Sequence, residues 1–129
     1  MRAFPVVFAS SVQATSAFYE SLAQKTDAWQ RELAADVVFA DASKKLQAEG
    51  RDAFIQSFTS FLRAVERVEV RQLIVDGNDA AAVVSYDYVS PSGGRLHQDD
   101  AEIWKIVAGK IMALTIYFDI TEFRAFMGR

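Results

Sequence analysis

His97-Gln98-Asp99-Asp100-Ala101-Glu102-Ile103-Trp104-Lys105-Ile106, then Val107-Ala108-Gly109-Lys110, then Ile111 through Phe118, is the stretch whose reading decides the fold. Both flanks are rich in β-branched and aromatic residues, and the four residues between them include a Gly suited to a tight turn. The stretch therefore reads as a β-hairpin. Side chains alternate along a strand, so Asp100, Glu102, Trp104 and Ile106 share one face. The apolar members of that set argue that the face points inward. The opposite parity, with Ile103 inward, would leave Glu102 in solvent. Asp119-x-x-Glu122 follows with the spacing of a capping box, which predicts a short terminal helix.

Upstream of the hairpin the pattern stays that of strands. Val68 to Val75 and Ala80 to Val89 are separated by Asp76-Gly77-Asn78-Asp79, and Pro91-Ser92-Gly93-Gly94 makes the next turn. The front half reads differently. Ser10 or Ser11 is suited to cap a helix running to about Lys25, with Val12, Ala14, Phe18 and Leu22 near helical spacing. Asp27 is suited to cap a second short helix over 28–34. Val37-Val38-Phe39 reads as a short strand, and 42–49 as a polar, Lys-rich loop. Gly50-Arg51-Asp52 opens a third helix with an apolar stripe of Phe54, Phe58, Phe61, Leu62 and Val65. Helices first and a meander after give the α+β class.

The bulk numbers exclude several functions. A chain of 129 residues fits one domain spanning 1–129, and 51% hydrophobic residues supply one core. Net charge is −3 with the signs interspersed, so there is no footprint for nucleic acid. Cysteine is absent, which removes disulfide and thiol chemistry. One His and no His/Asp cluster give no metal site, and no phosphate loop or nucleophile elbow is present. No apolar run reaches the ~20 residues of a membrane span. The apolar segment 3–9 is short and reads as a buried arm or an extended segment against a partner subunit. The expected setting is the cytoplasm.

Val37-Val38-Phe39-Ala40-Asp41, followed nine residues later by Gly50-Arg51 and an aromatic helix, together with the terminal hairpin, resembles the nuclear transport factor 2-like superfamily. That superfamily includes ketosteroid isomerase, limonene epoxide hydrolase and the SnoaL-like polyketide cyclases. The resemblance runs from about Tyr19 to Met127. It implies a cone-shaped, cystatin-like α+β fold: a curved antiparallel sheet packed around N-terminal helices and enclosing an apolar pocket. It also implies a homodimer joined through the outer face of the sheet.

The same resemblance nominates catalytic residues. Asp41 falls where the isomerase has the Asp that abstracts a proton beside a ketone, although Ala42 follows it where the family has Pro. A carboxylate beside apolar walls becomes a usable base near neutral pH. Tyr19 falls close to the phenol that donates to the developing enolate, if two residues are missing between the helices. The isomerase's third group, a protonated Asp, aligns with Ala101 without a gap and with Glu102 if the hairpin is one residue shorter; strand parity favours Glu102. Phe54, Phe58, Tyr86, Asp100, Trp104, Ile116 and Phe118 are the candidate pocket lining. The segment Ile116 to Phe123 also resembles the end of limonene epoxide hydrolase, but Ile116 stands where that enzyme has its acid, so its mechanism does not carry over. Asp119 reads as a helix cap. His97 reads as a surface or interface residue, and Arg51 as a partner for a nearby carboxylate.

Two function classes follow. One is a cofactor-free isomerase or cyclase that moves a proton on a hydrophobic carbonyl compound, with Asp41 as base and Tyr19 and Glu102 holding the enolate. The other is a domain that binds an apolar small molecule, or assembles as a dimer, without chemistry.

Overall fold

In a computed structural model, which describes residues 4–41, 43 and 46–128, three α-helices pack against one open six-stranded sheet. The elements in chain order are α1 (Phe4–Gln24), a 3-10 turn (Ala28–Gln30), β1 (Leu33–Asp41), β2 (Leu46–Glu49), α2 (Arg51–Leu62), β3 (Val65–Asp76), β4 (Asp79–Val89), β5 (Arg95–Val107), β6 (Lys110–Tyr117) and α3 (Ile120–Met127). The sheet order is β2-β1-β6-β5-β4-β3, so it curves without closing and keeps β2 and β3 as its edges. Every neighbouring pair is antiparallel except β1 and β6, which run parallel. This is the cone-shaped α+β architecture that the family resemblance implies, with one departure: the sheet is mixed and not wholly antiparallel, because β1 lies parallel to β6.

Alternation fixes which face is the core. Along β5, Gln98, Asp100, Glu102, Trp104 and Ile106 are all buried, and their odd-numbered neighbours from Arg95 to Val107 are all exposed. Along β4, Ala80, Ala82, Val84, Tyr86 and Tyr88 are buried likewise. α2 lays Phe54 and Phe58 onto this face, and α1 adds Ala14, Phe18, Tyr19 and Leu22. Rings meet throughout: Phe18 lies 4.7 Å from Trp104, Trp29 lies 5.1 Å from Phe58, and Phe39 lies 5.4 Å from Phe54 between centroids. Most of these pairs are edge-on or tilted, the arrangement that ring quadrupoles favour.

The front half departs from local sequence signals in five places. α1 begins at Phe4 rather than at a Ser10 or Ser11 cap, so residues 4–9 are helical and not an extended arm. Ser11 lies inside the helix, and its hydroxyl donates to the Gly77 carbonyl at 2.7 Å, tying α1 to the β3–β4 turn. The expected helix over 28–34 shrinks to one 3-10 turn, because Trp29 is drawn among Phe18, Phe54 and Phe58 while Leu33 joins the ladder beside Ile111. The 42–49 segment holds a strand, Leu46–Glu49, paired with β1; Ala42, Lys44 and Lys45 lie outside the described residues. Val65, counted into the α2 stripe, begins β3 instead, since α2 ends at Leu62.

Arg51 donates to the Gln30 carbonyl at 3.1 Å rather than pairing with a carboxylate. Asp119 caps α3 as its spacing predicts, its Oδ1 accepting from the Glu122 N–H at 2.9 Å. Glu122 does not return the bond; its carboxylate accepts from Gln98 Nε2 at 2.9 Å. Asp119→Ala is therefore expected to cost ~1 kcal/mol of stability, read as a shifted denaturant midpoint with unchanged slope.

Candidate active site

Strand register brings three inward-facing residues into one row. Asp41, the last residue of β1, pairs with Ile116 of β6, and Ile116 pairs with Glu102 of β5. Asp41 is half-buried. Its Oδ1 accepts from the Ser43 N–H at 3.0 Å and from the Ser43 hydroxyl at 2.5 Å. Glu102 is completely buried. One of its oxygens accepts from the Tyr19 hydroxyl at 2.5 Å and the other from the Tyr86 hydroxyl at 2.6 Å. Trp104 Nε1 donates to the Tyr19 oxygen at 2.9 Å. Thus Tyr19, Tyr86, Glu102 and Trp104 form one hydrogen-bonded unit under the aromatic core.

A second acid lies beside it. Asp100 accepts from the Tyr88 hydroxyl at 3.2 Å through one oxygen, and its other oxygen has no partner among the described residues. Burial pushes both carboxyls up, because an ion in a poorly polarisable interior loses its hydration. Glu102 rises to about 7 although its two phenols pull the other way. Asp100 rises to about 7 through burial and the adjacent Glu102, with Tyr88 opposing. The Tyr19 and Tyr86 hydroxyls are raised by burial and by Glu102 and stay protonated, so they act as donors.

Asp41 belongs to a different space. It lines a cavity of about 250 Å³ with Phe39, Ser57, Ser60, Phe61, Ala64, Ile116, Phe118, Ile120, Phe123, Arg124 and Met127. The cavity lies between α2, the ends of β1 and β6, and α3. Of the residues nominated from sequence, Asp41, Ile116 and Phe118 reach it. Tyr19, Glu102, Tyr86 and Trp104 sit in the buried unit, Asp100 sits next to it, and Phe54 and Phe58 are enclosed among other rings. Phe61 separates the two regions: it lines the cavity and its ring lies 5.3 Å from Tyr86 and 5.9 Å from Tyr88. The other nine described lining residues, Ser57, Ser60 and the α3 residues Ile120, Phe123, Arg124 and Met127 among them, are not nominated by the sequence. The two serines sit one helical turn apart on α2, a signal the sequence carried; the α3 residues gave none until that helix folded back over the sheet.

The opposite face of the sheet carries His97 between Asp87 at 2.6 Å and Asp99 at 3.0 Å, and Ser85 donates to Asp99 at 2.6 Å. These carboxylates hold the exposed imidazole above its usual pKa. No group of His, Asp and Glu among the described residues could hold a metal ion, and no helix is long and apolar enough to cross a membrane.

Solved structures of the same shape settle the class of fold. A nuclear transport factor 2-like protein of unknown function from Burkholderia pseudomallei superposes with a TM-score of 0.81 at 15% identity, over 93% of this chain and 98% of its own. A putative SnoaL-like polyketide cyclase from Jannaschia sp. gives 0.81 at 14% identity, over 100% and 99%. A putative polyketide cyclase from Xanthomonas campestris gives 0.71 at 21% identity, over 94% and 98%. The architecture is thus the nuclear transport factor 2-like one. Residues 15–114 match the model of the SnoaL-like domain, and the chain belongs to that family. Comparison with curated proteins gave no sequence match.

Proposed function

We propose that this SnoaL-like domain binds an apolar carbonyl compound in the cavity beside Asp41 and moves a proton on it. The observation that carries the reading is the row Asp41–Ile116–Glu102 on the inner face of the sheet. Two strand spacings separate its acidic members by about 10 Å. A ketone whose reacting carbon and oxygen lie a few ångströms apart, with contacts of about 3 Å at each end, spans that gap. Asp41 takes the proton from the carbon beside the carbonyl, and the electron pair of the C–H bond passes to the carbonyl oxygen. The enolate oxygen is met by the Tyr19 hydroxyl and by protonated Glu102, whose raised pKa keeps an O–H available near neutral pH. Return of the proton to another carbon completes an isomerisation; attack of the enolate on a second carbonyl of the same molecule would close a ring. Phe61 lies between the cavity and this pair, so the step requires its ring to turn aside.

Incubation of the protein in D2O with cyclic and aryl ketones, followed by proton NMR, tests the reading. Exchange of the α-proton well above the buffer rate is expected. Exchange at the buffer rate across a varied ketone set would leave the second reading, a domain that binds without chemistry. That reading is favoured by one specific feature: Tyr19 already donates to Glu102 and accepts from Trp104, so its hydroxyl is satisfied before any ligand arrives.

The proposal includes a homodimer in the cytoplasm. Ile74, Ala81, Ile103 and Thr115 form one row across the outer face, and Gln72, Val83, Ala101 and Tyr117 another. Ile74, Val83, Ile103 and Tyr117 are exposed large apolar residues, the surface a second copy would cover. Sedimentation at micromolar concentration should give twice the chain mass.

A further inference from the structure

We propose that the mouth of the cavity recognises a carboxylate, so that the bound molecule is an apolar carbonyl compound with an acidic end. This names the ligand class for the site proposed above and rests on that cavity being the binding site. Among the described residues, Arg124 of α3 is the cation on the cavity wall. Like Arg31, Arg63 and Arg67, Arg124 is in no ion pair among the described residues; what sets it apart from them is its place on this wall. The acid nearest to it on α3, Glu122, is engaged by Gln98. Ser57 and Ser60 lie three residues apart on α2, hence on one face, and both line the same space. A guanidinium fork with two hydroxyls matches the acceptors of one carboxylate.

Charge sorts the two ends of the ligand. Asp41 is on the same wall but on β1, so a second anion beside it would be repelled. The acidic end is drawn to the α2 and α3 side, and this leaves the carbon acid toward Asp41. The remaining wall, Phe39, Phe61, Ile116, Phe118 and Phe123, takes the apolar body.

Calorimetric titration with 2-naphthylacetate and with its methyl ester tests this. The natural chain should bind the acid at least tenfold more tightly than the ester. Arg124→Gln should bring the two affinities together while leaving that of the ester within about twofold and the melting temperature unchanged, since Arg124 is exposed. Equal binding of acid and ester by the natural chain, or a preference that survives in Arg124→Gln, overturns the carboxylate proposal and leaves the cavity as a binding site. Failure of both probes to bind overturns the cavity itself. Acid preference without any ketone exchange supports the carboxylate site and removes only the proton transfer.

Discussion

Asp41→Asn is expected to lower α-proton exchange by about a hundredfold or more, the range a positioned general base contributes, with a melting temperature close to that of the natural chain. The amide keeps the size and the acceptor oxygen, so the bonds from the Ser43 N–H and hydroxyl can persist. What it loses is the lone pair basic enough to accept a proton from carbon. Asp41 is half-buried at the end of β1, and among the described residues its side chain hydrogen-bonds only to Ser43, so stability should move little. Exchange that survives in Asp41→Asn would exclude this residue as the base and shift attention to Asp100, whose second oxygen has no partner among the described residues.

Glu102→Ala is expected to destabilise the fold by about 4 kcal/mol. The substitution leaves the Tyr19 and Tyr86 hydroxyls buried without their acceptor, at about 1–3 kcal/mol each. It also opens a cavity, since Glu102 is fully enclosed. Glu102→Gln keeps the volume and one carbonyl acceptor and should cost far less, about 1–2 kcal/mol. Urea unfolding of the two variants separates the roles. Similar losses in both would mean that ionisation, not occupancy of the site, matters to the fold.

Glu102 also sets the sign of the pH dependence. Its folded pKa, about 7, lies above the ordinary value of 4.5, and Asp100 behaves alike. Between those limits the unfolded chain has released protons that the folded chain still holds, so stability falls as pH rises from about 5 to about 7 and then levels. His97 acts in the same direction from the surface: Asp87 and Asp99 raise its folded pKa, and the stability this brings is lost as pH rises through that value. The natural chain should therefore have a higher denaturant midpoint at pH 5 than at pH 8. Glu102→Gln should reduce the difference, because it removes one buried carboxyl and one cause of the shift in the other. A midpoint that does not change with pH would mean that these carboxyls ionise as freely in the folded chain as in the unfolded one, and a midpoint that rises would mean that folding lowers their pKa values.

The site was legible in pieces. Parity favours Glu102 on the inner face with Trp104, and the likeness to the isomerase nominates Tyr19; the fold joins them at 2.5 Å. No sequence signal joins residues 83 positions apart, because the contact depends on the angle at which α1 crosses β5. The same limit hid the cavity. The sequence offers Phe54 and Phe58 as its lining because a stripe of phenylalanines suits a lined cavity and a filled core equally, and rotamers decide between the two.

The sequence by itself determined what short-range periodicity can encode. Alternation marked the strands β3 to β6 and favoured one inner face for β5, steps of three and four marked α2, and Asp119 with Glu122 marked where α3 begins. Tertiary structure alone decided the segments whose local signals were weak or double. Residues 28–34 became a turn and a strand because burying Trp29 and pairing with β6 outweighed a modest helix preference. The parallel β1–β6 pair, the separation of Asp41 from Tyr19, and the placing of Arg124 on the cavity wall all depend on residues distant in the chain. Local propensities are worth a few tenths of a kcal/mol per residue, whereas burying one large side chain is worth about 1.5–3 kcal/mol, so packing has the last word wherever the two disagree.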